Sequence, residues 1–72
     1  KIDGSFIRNM ELNDVDFSMV STINHLAHVM GIATIAECVE NQIQLSMLQE
    51  IGVDCVQGFF IDKPKPLSAV TL

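Results

Sequence analysis

Gly31-Ile32-Ala33-Thr34-Ile35-Ala36-Glu37-Cys38-Val39-Glu40 is apolar on both sides of the pleat as far as Ala36 and turns polar from Glu37 onward. A half-exposed antiparallel strand would alternate. A strand covered on both faces, as in a parallel sheet flanked by helices, reads as a continuous apolar run. Ile32 to Ala36 is therefore expected to be a parallel strand, with Glu37 to Glu40 at its C-terminal end.

The flanks agree. Upstream, Asn13 and Asp14 offer a helix N-cap, and Asp14 and Asp16 complement the dipole of the first turn. Met19, Ile23, Leu26 and Met30 then recur at helical spacing, flanked by Val20 and Ala27, and are expected to face inward. Gly31 ends that helix. Downstream, Asn41 caps a second helix, with Gln44 placed for a capping box. Leu45, Met47, Leu48 and Ile51 carry its apolar stripe, and Gly52 stops it. Val53 to Phe60 is expected to be the next strand, and the extended Lys1-Ile2-Asp3 the end of an earlier one. End-of-strand, helix, strand, helix, strand, with short joins, makes the fold class α/β, with parallel strands and crossover helices. Right-handed crossovers would gather the strand C-termini on one rim.

Composition narrows the classes. The chain has 72 residues, 49% hydrophobic and 18% charged, too apolar for disorder. Its net charge of −5 gives no electrostatic footprint for polymer nucleic acid or an anionic membrane. No apolar run approaches the roughly 20 residues of a membrane span, and no secretory leader is expected. Cys38 and Cys55 make a poor disulfide framework and point to reduced thiols and a cytoplasmic location. So small a domain is expected to be marginal alone. Together with a first residue that is Lys1 rather than Met, this suggests a piece of a larger domain, expected to associate with the remainder of that domain or as a homo-oligomer.

At the expected rim stand Lys1 and Asp3, then Glu37 and Glu40, then Gln57. A strand-end Lys or Gln is commonly solvated surface. A carboxylate closing an apolar strand is either a paired acid or a metal ligand. His25 and His28 lie three apart on a helix with no third ligand and read as solvated surface. The four methionines read as core filler, and Lys63-Pro64-Lys65-Pro66 as an exposed loop. Phe59 and Phe60 could stack on a base or pack near the rim.

Lys1-Ile2-Asp3, Ala36-Glu37-Cys38-Val39-Glu40 and Gln57-Gly58-Phe59-Phe60 with Lys63-Pro64 resemble, in order and over essentially the whole chain, three motifs of the EAL family. These are bacterial phosphodiesterases of cyclic di-GMP. The separations, 36 residues from Lys1 to Glu37 and 20 from Glu37 to Gln57, match as well. The resemblance implies the C-terminal portion of a TIM-like (β/α)8 barrel, about its last third, and a partner in cyclic di-GMP. It implies Mg²⁺ or Mn²⁺ as cofactor, with two metals clamping the attacking and leaving oxygens of a phosphodiester hydrolysis to linear pGpG. Lys1 would hold the catalytic water and the scissile phosphate region. Glu37 would be catalytic and a metal ligand, Gln57 would position active-site residues and substrate, and Glu40 would order neighbouring loops. Asp3 would be structural. Two departures stand out: Cys38 where the family usually has Gly, and Phe59 for Tyr. The Glu-Ala-Leu signature and the Asp-Asp pair are absent, so the 72 residues alone are expected to be inactive. The alternative is a degenerate domain acting as a non-catalytic cyclic di-GMP receptor or a protein-interaction module.

Overall fold

The computed structural model describes residues 1–58 and 61–70. Helix α1 spans Gly4–Asn9, α2 Asp14–Val29, strand β1 Ile35–Val39, helix α3 Gln42–Ile51, strand β2 Cys55–Gly58 and strand β3 Ile61–Pro66, followed by a 3₁₀ turn at Leu67–Ala69.

Each helix starts where a short polar side chain satisfies a free backbone N–H. Asp3 accepts from Ser5 N at 2.8 Å, Asn13 from Val15 N at 2.8 Å, and Asn41 from Gln44 N at 2.8 Å. The expected capping box is shifted by one residue: the Gln44 side chain accepts from the Glu40 N–H at 2.7 Å. Helix α3 ends at Gly52, whose φ of 92° is left-handed and whose N–H returns to the Leu48 carbonyl.

β1 and β2 pair in parallel with α3 crossing between them, and Ile2 adds a parallel bridge to Ala36 on the other edge of β1. Ile2, Ala36 and Val56 therefore fall into one lateral row, and all three are buried. Ile7, Val20, Leu45 and Leu48 from the helices, with Met10 just past the end of α1, close the core over that row. The α/β reading, with parallel strands and covering helices, holds.

Several details differ from expectation. α1 stands where the sequence pattern assigns no element: once Asp3 caps it, Phe6, Ile7 and Met10 give it a face toward the core. β1 begins at Ile35 rather than Ile32, because Asp54 and Cys55 hold Thr34 at the strand's entrance. Glu37 thus lies inside the strand. The expected strand from Val53 to Phe60 is the shorter β2, and Phe59 and Phe60 lie outside the described residues. Lys63-Pro64-Lys65-Pro66 belongs not to a loop but to β3, which pairs antiparallel with β2. Prolines are tolerated there because β3 is an edge of this sheet.

The largest correction concerns α2. Met19, Leu26 and Met30 are 43%, 56% and 66% exposed, while Val20 and Asn24 are buried. The buried face is formed by Val20, Ile23, Asn24 and Ala27. Met19, Leu26 and Met30 form a second apolar face beside it.

Candidate active site on one face of the sheet

Successive strand side chains alternate between the two faces. Lys1 precedes buried Ile2, Glu37 follows buried Ala36, and Gln57 follows buried Val56. The lateral row therefore places Lys1, Glu37 and Gln57 on the face opposite the core, on three neighbouring strands. The first two strands are held by Ile2 N donating to Ile35 O at 2.7 Å and Glu37 N donating to Ile2 O at 3.2 Å. Lys1 Nζ lies 3.4 Å from Glu37 Oε1. Glu37 and Gln57 are half-buried and Lys1 is exposed. So open an ion pair contributes at most about 1 kcal/mol to stability. What the arrangement offers is a cation and a carboxylate side by side on an accessible face, with a neutral amide on the next strand.

Glu40 is placed elsewhere. It follows β1, is exposed, and lines a cleft of about 290 Å³ with Arg8, Glu11, Leu12, Asn41 and Gln44. None of Lys1, Glu37 and Gln57 lines that cleft. Its backbone N–H is bonded to Gln44, which ties the end of β1 to the start of α3.

Glu37 is aimed by an irregularity. Between the pairs Ala36–Val56 and Val39–Gly58, β1 carries one residue more than β2. That bulge contains Cys38, at a left-handed φ of 61°. Bulges of this kind bend a strand and re-aim its side chains. Cys38 is accordingly exposed rather than tucked into the core. On the partner strand, a Cβ on Gly58 would collide with the Val39 carbonyl oxygen and sit 2.5 Å from its nitrogen, so the close approach of the two strands requires glycine.

A metal finds only part of its site. Among the described residues no three His, Cys, Asp or Glu side chains are grouped to hold one. Glu37 would supply one carboxylate to such an ion. Mg²⁺ is commonly bound through one or two carboxylates plus substrate phosphates and water. The residues present fit one corner of such a site and no more.

A second polar cluster lies at the opposite end of the strands. His28 Nε2 is 2.7 Å from Asp54 Oδ2. Thr34 N donates to the same oxygen at 2.8 Å, and Thr34 Oγ1 donates to the buried Asn24 at 2.6 Å. The Thr34 backbone bond, then His28, hold the Asp54 carboxyl below its ordinary 3.8. His25 and His28 are exposed as expected, but His28 is partnered. Asp3 is likewise held low, first by the Ser5 backbone N–H, and serves as a cap. Both acids follow from local sequence only in part. Asp3 stands at an N-cap position two residues ahead of Ser5, whereas nothing near Asp54 signals Thr34, twenty residues away.

Residues 1–64 match the EAL domain family. The chain is 45% identical over 69 residues to the cyclic di-GMP phosphodiesterase PdeB of Shewanella oneidensis, covering 96% of this chain and 8% of that protein. It is 45% identical over 67 residues to the cyclic di-GMP phosphodiesterase PdeF of Escherichia coli, covering 93% of this chain and 9% of the relative. It thus spans less than a tenth of the length of these curated relatives. Among solved structures, the EAL enzyme Bd1971 in its cAMP-bound form superposes with a TM-score of 0.82 at 36% identity, over 93% of this chain and 18% of that one. The PaMucR phosphodiesterase in complex with c-di-GMP gives 0.80 at 32% identity, over 90% and 26%. With residues 1–64 matched by the family and nearly the whole chain aligned to relatives at 45% identity, the chain belongs to the EAL domain family.

Proposed function

We propose that this chain is a C-terminal part of a cyclic di-GMP phosphodiesterase domain, and that Lys1, Glu37 and Gln57 form one wall of its active site. The observation that carries this reading is the juxtaposition of Lys1 and Glu37 at 3.4 Å on the face that also holds Gln57. The protein would hydrolyse one phosphodiester of the cyclic dinucleotide to linear pGpG. Glu37 would hold one divalent ion, Mg²⁺ or Mn²⁺. Bound divalent ions would supply an activated water and a counter-charge for the reacting phosphate.

The chain's own residues do the rest. The Lys1 ammonium sits where it can offset negative charge growing on a phosphate beside Glu37. Gln57, neutral and half-buried, can orient a substrate oxygen or a neighbouring side chain without adding charge. Glu40 orders the turn into α3. The outward apolar face of α2 is covered in the complete domain by neighbouring staves of the barrel. The free thiols of Cys38 and Cys55 fit a cytoplasmic setting.

The test is turnover of cyclic di-GMP by the full-length protein with Mg²⁺ or Mn²⁺. Lys1→Ala and Glu37→Gln are each expected to lower kcat by roughly 100-fold or more, and the 72 residues alone to give none. A full-length protein that binds the dinucleotide tightly but does not cleave it would establish the receptor reading instead.

A further inference from the structure

Cys38 occupies a backbone conformation that L side chains rarely adopt, and its side chain is set against one particular residue. A Cβ built on Gly4 would overlap the Cys38 Sγ and lie 2.7 Å from the Cys38 Cβ. Gly4 is buried and opens α1, one residue after the cap Asp3 and three after Lys1. The bulge that turns Cys38 toward Gly4 is the same bulge that sets the direction of Glu37. The strand end carrying Lys1 and the strand carrying Glu37 therefore meet not only through the backbone bonds and core packing of Ile2 and the Lys1–Glu37 pair, but also where the Cys38 side chain is seated against Gly4.

We propose that Cys38 is a positioning residue, whose side chain, wedged on Gly4, sets how Lys1 and Glu37 face each other. The contact joins the turn that ends Lys1-Ile2-Asp3 to the bulge of β1. Side chains at 38 and 4 compete for one space, so a side chain can stand at one position or the other but not at both. Without the wedge, the Ile2 bonds and core packing still hold β1 against the Lys1 strand end, but the turn at Gly4 no longer abuts the bulge, and the Lys1–Glu37 pair can shift. A displacement of about 1 Å in a reacting constellation can reduce rate by up to about 100-fold.

The inference rests on the phosphodiesterase reading for its functional half only, and the test separates the two. Gly4→Ala, Cys38→Gly and the double variant are made in the full-length protein. Melting temperature, cyclic di-GMP affinity in Mg²⁺, and kcat and KM are measured for each. Gly4→Ala is expected to lower the melting temperature when Cys38 is present, and to leave it unchanged or raise it when combined with Cys38→Gly. Equal shifts in both backgrounds would overturn the contact. Cys38→Gly is expected to relieve backbone strain and raise the melting temperature, yet to lower kcat or affinity by about tenfold. Cys38→Ser, of similar size, is expected to retain most of both. A more stable Cys38→Gly protein with unaltered affinity, kcat and KM would overturn the positioning role. If the unsubstituted protein neither binds nor cleaves the dinucleotide, the proposed function fails, while the melting series still decides whether residues 4 and 38 share one space.

Discussion

Asp54 shows how much a single carboxylate can tie together. Its Oδ2 receives the Thr34 N–H at 2.8 Å and lies 2.7 Å from His28 Nε2, so it joins the entrance of β1, the start of β2 and the end of α2. Because its folded-state pKa is held below the ordinary 3.8, chiefly by the Thr34 bond, its contribution is complete above that pH and is lost as pH falls through the lower folded value. Asp54→Asn is therefore expected to melt below the unsubstituted protein at neutral pH, and the gap to close as pH drops below about 3.8. A gap constant from about pH 7 to about pH 2.5 in paired melting curves would show that the charge plays no part. The active-site candidates show the reverse balance. Lys1, Glu37 and Gln57 are legible through the motifs that contain them, since by position alone a strand-end Lys or Gln reads as solvated surface. The left-handed bulge at Cys38 is not, because no neighbouring residue demands it; it arises from the extra residue β1 carries against β2.

Helices and strands differ in how much of them local sequence reveals. α3 is announced by Asn41 at its start and Gly52 at its end, and both do what their chemistry suggests. Asn41→Ala removes the acceptor for Gln44 N and is expected to destabilise the chain by about 1 kcal/mol. Its amide also donates to Glu11 at 2.8 Å, so Asn41→Asp, which keeps the cap but not that donor, separates the two contributions in denaturant unfolding. α1, only six residues long, carries too few positions for its period to be read. β3 is hidden for another reason. Its two prolines argue against a strand, and only an edge position in the sheet makes them acceptable.

Taken as a whole, the molecule buries one side of its helices and leaves another bare. Val15, Met19, Leu26 and Val29 lie on a single stripe of α2 that continues to Met30 at its C-cap, with exposures from 43% to 71%, and Leu12 and Ile32 extend it at either end. Each large aliphatic side chain left in water forgoes about 1.5–3 kcal/mol relative to full burial. Among the described residues nothing covers this stripe. The 72-residue chain is therefore expected to self-associate, with an apparent mass that rises with concentration in light scattering. Leu26→Glu with Met30→Lys is expected to restore a smaller species. A monomer at every concentration, without those substitutions, would show that the stripe is tolerated in water.

What neighbouring residues decide is readable from the chain alone: caps, helix ends, an uninterrupted apolar strand, and polar residues at fixed steps around it. These depend on hydrogen bonds and periodicities spanning about four or five residues, and they set Lys1, Glu37 and Gln57 on successive strands; it is the motifs around those residues that resemble an EAL domain. Three features depend instead on contacts between residues far apart in the chain. One is which of two apolar faces of α2 is buried. Another is the pairing of the proline-containing β3. The last is the bulge that seats Cys38 on Gly4 and directs Glu37 toward Lys1. A helical period fixes spacing but not direction, and a strand's partner and register are set by what packs beside it.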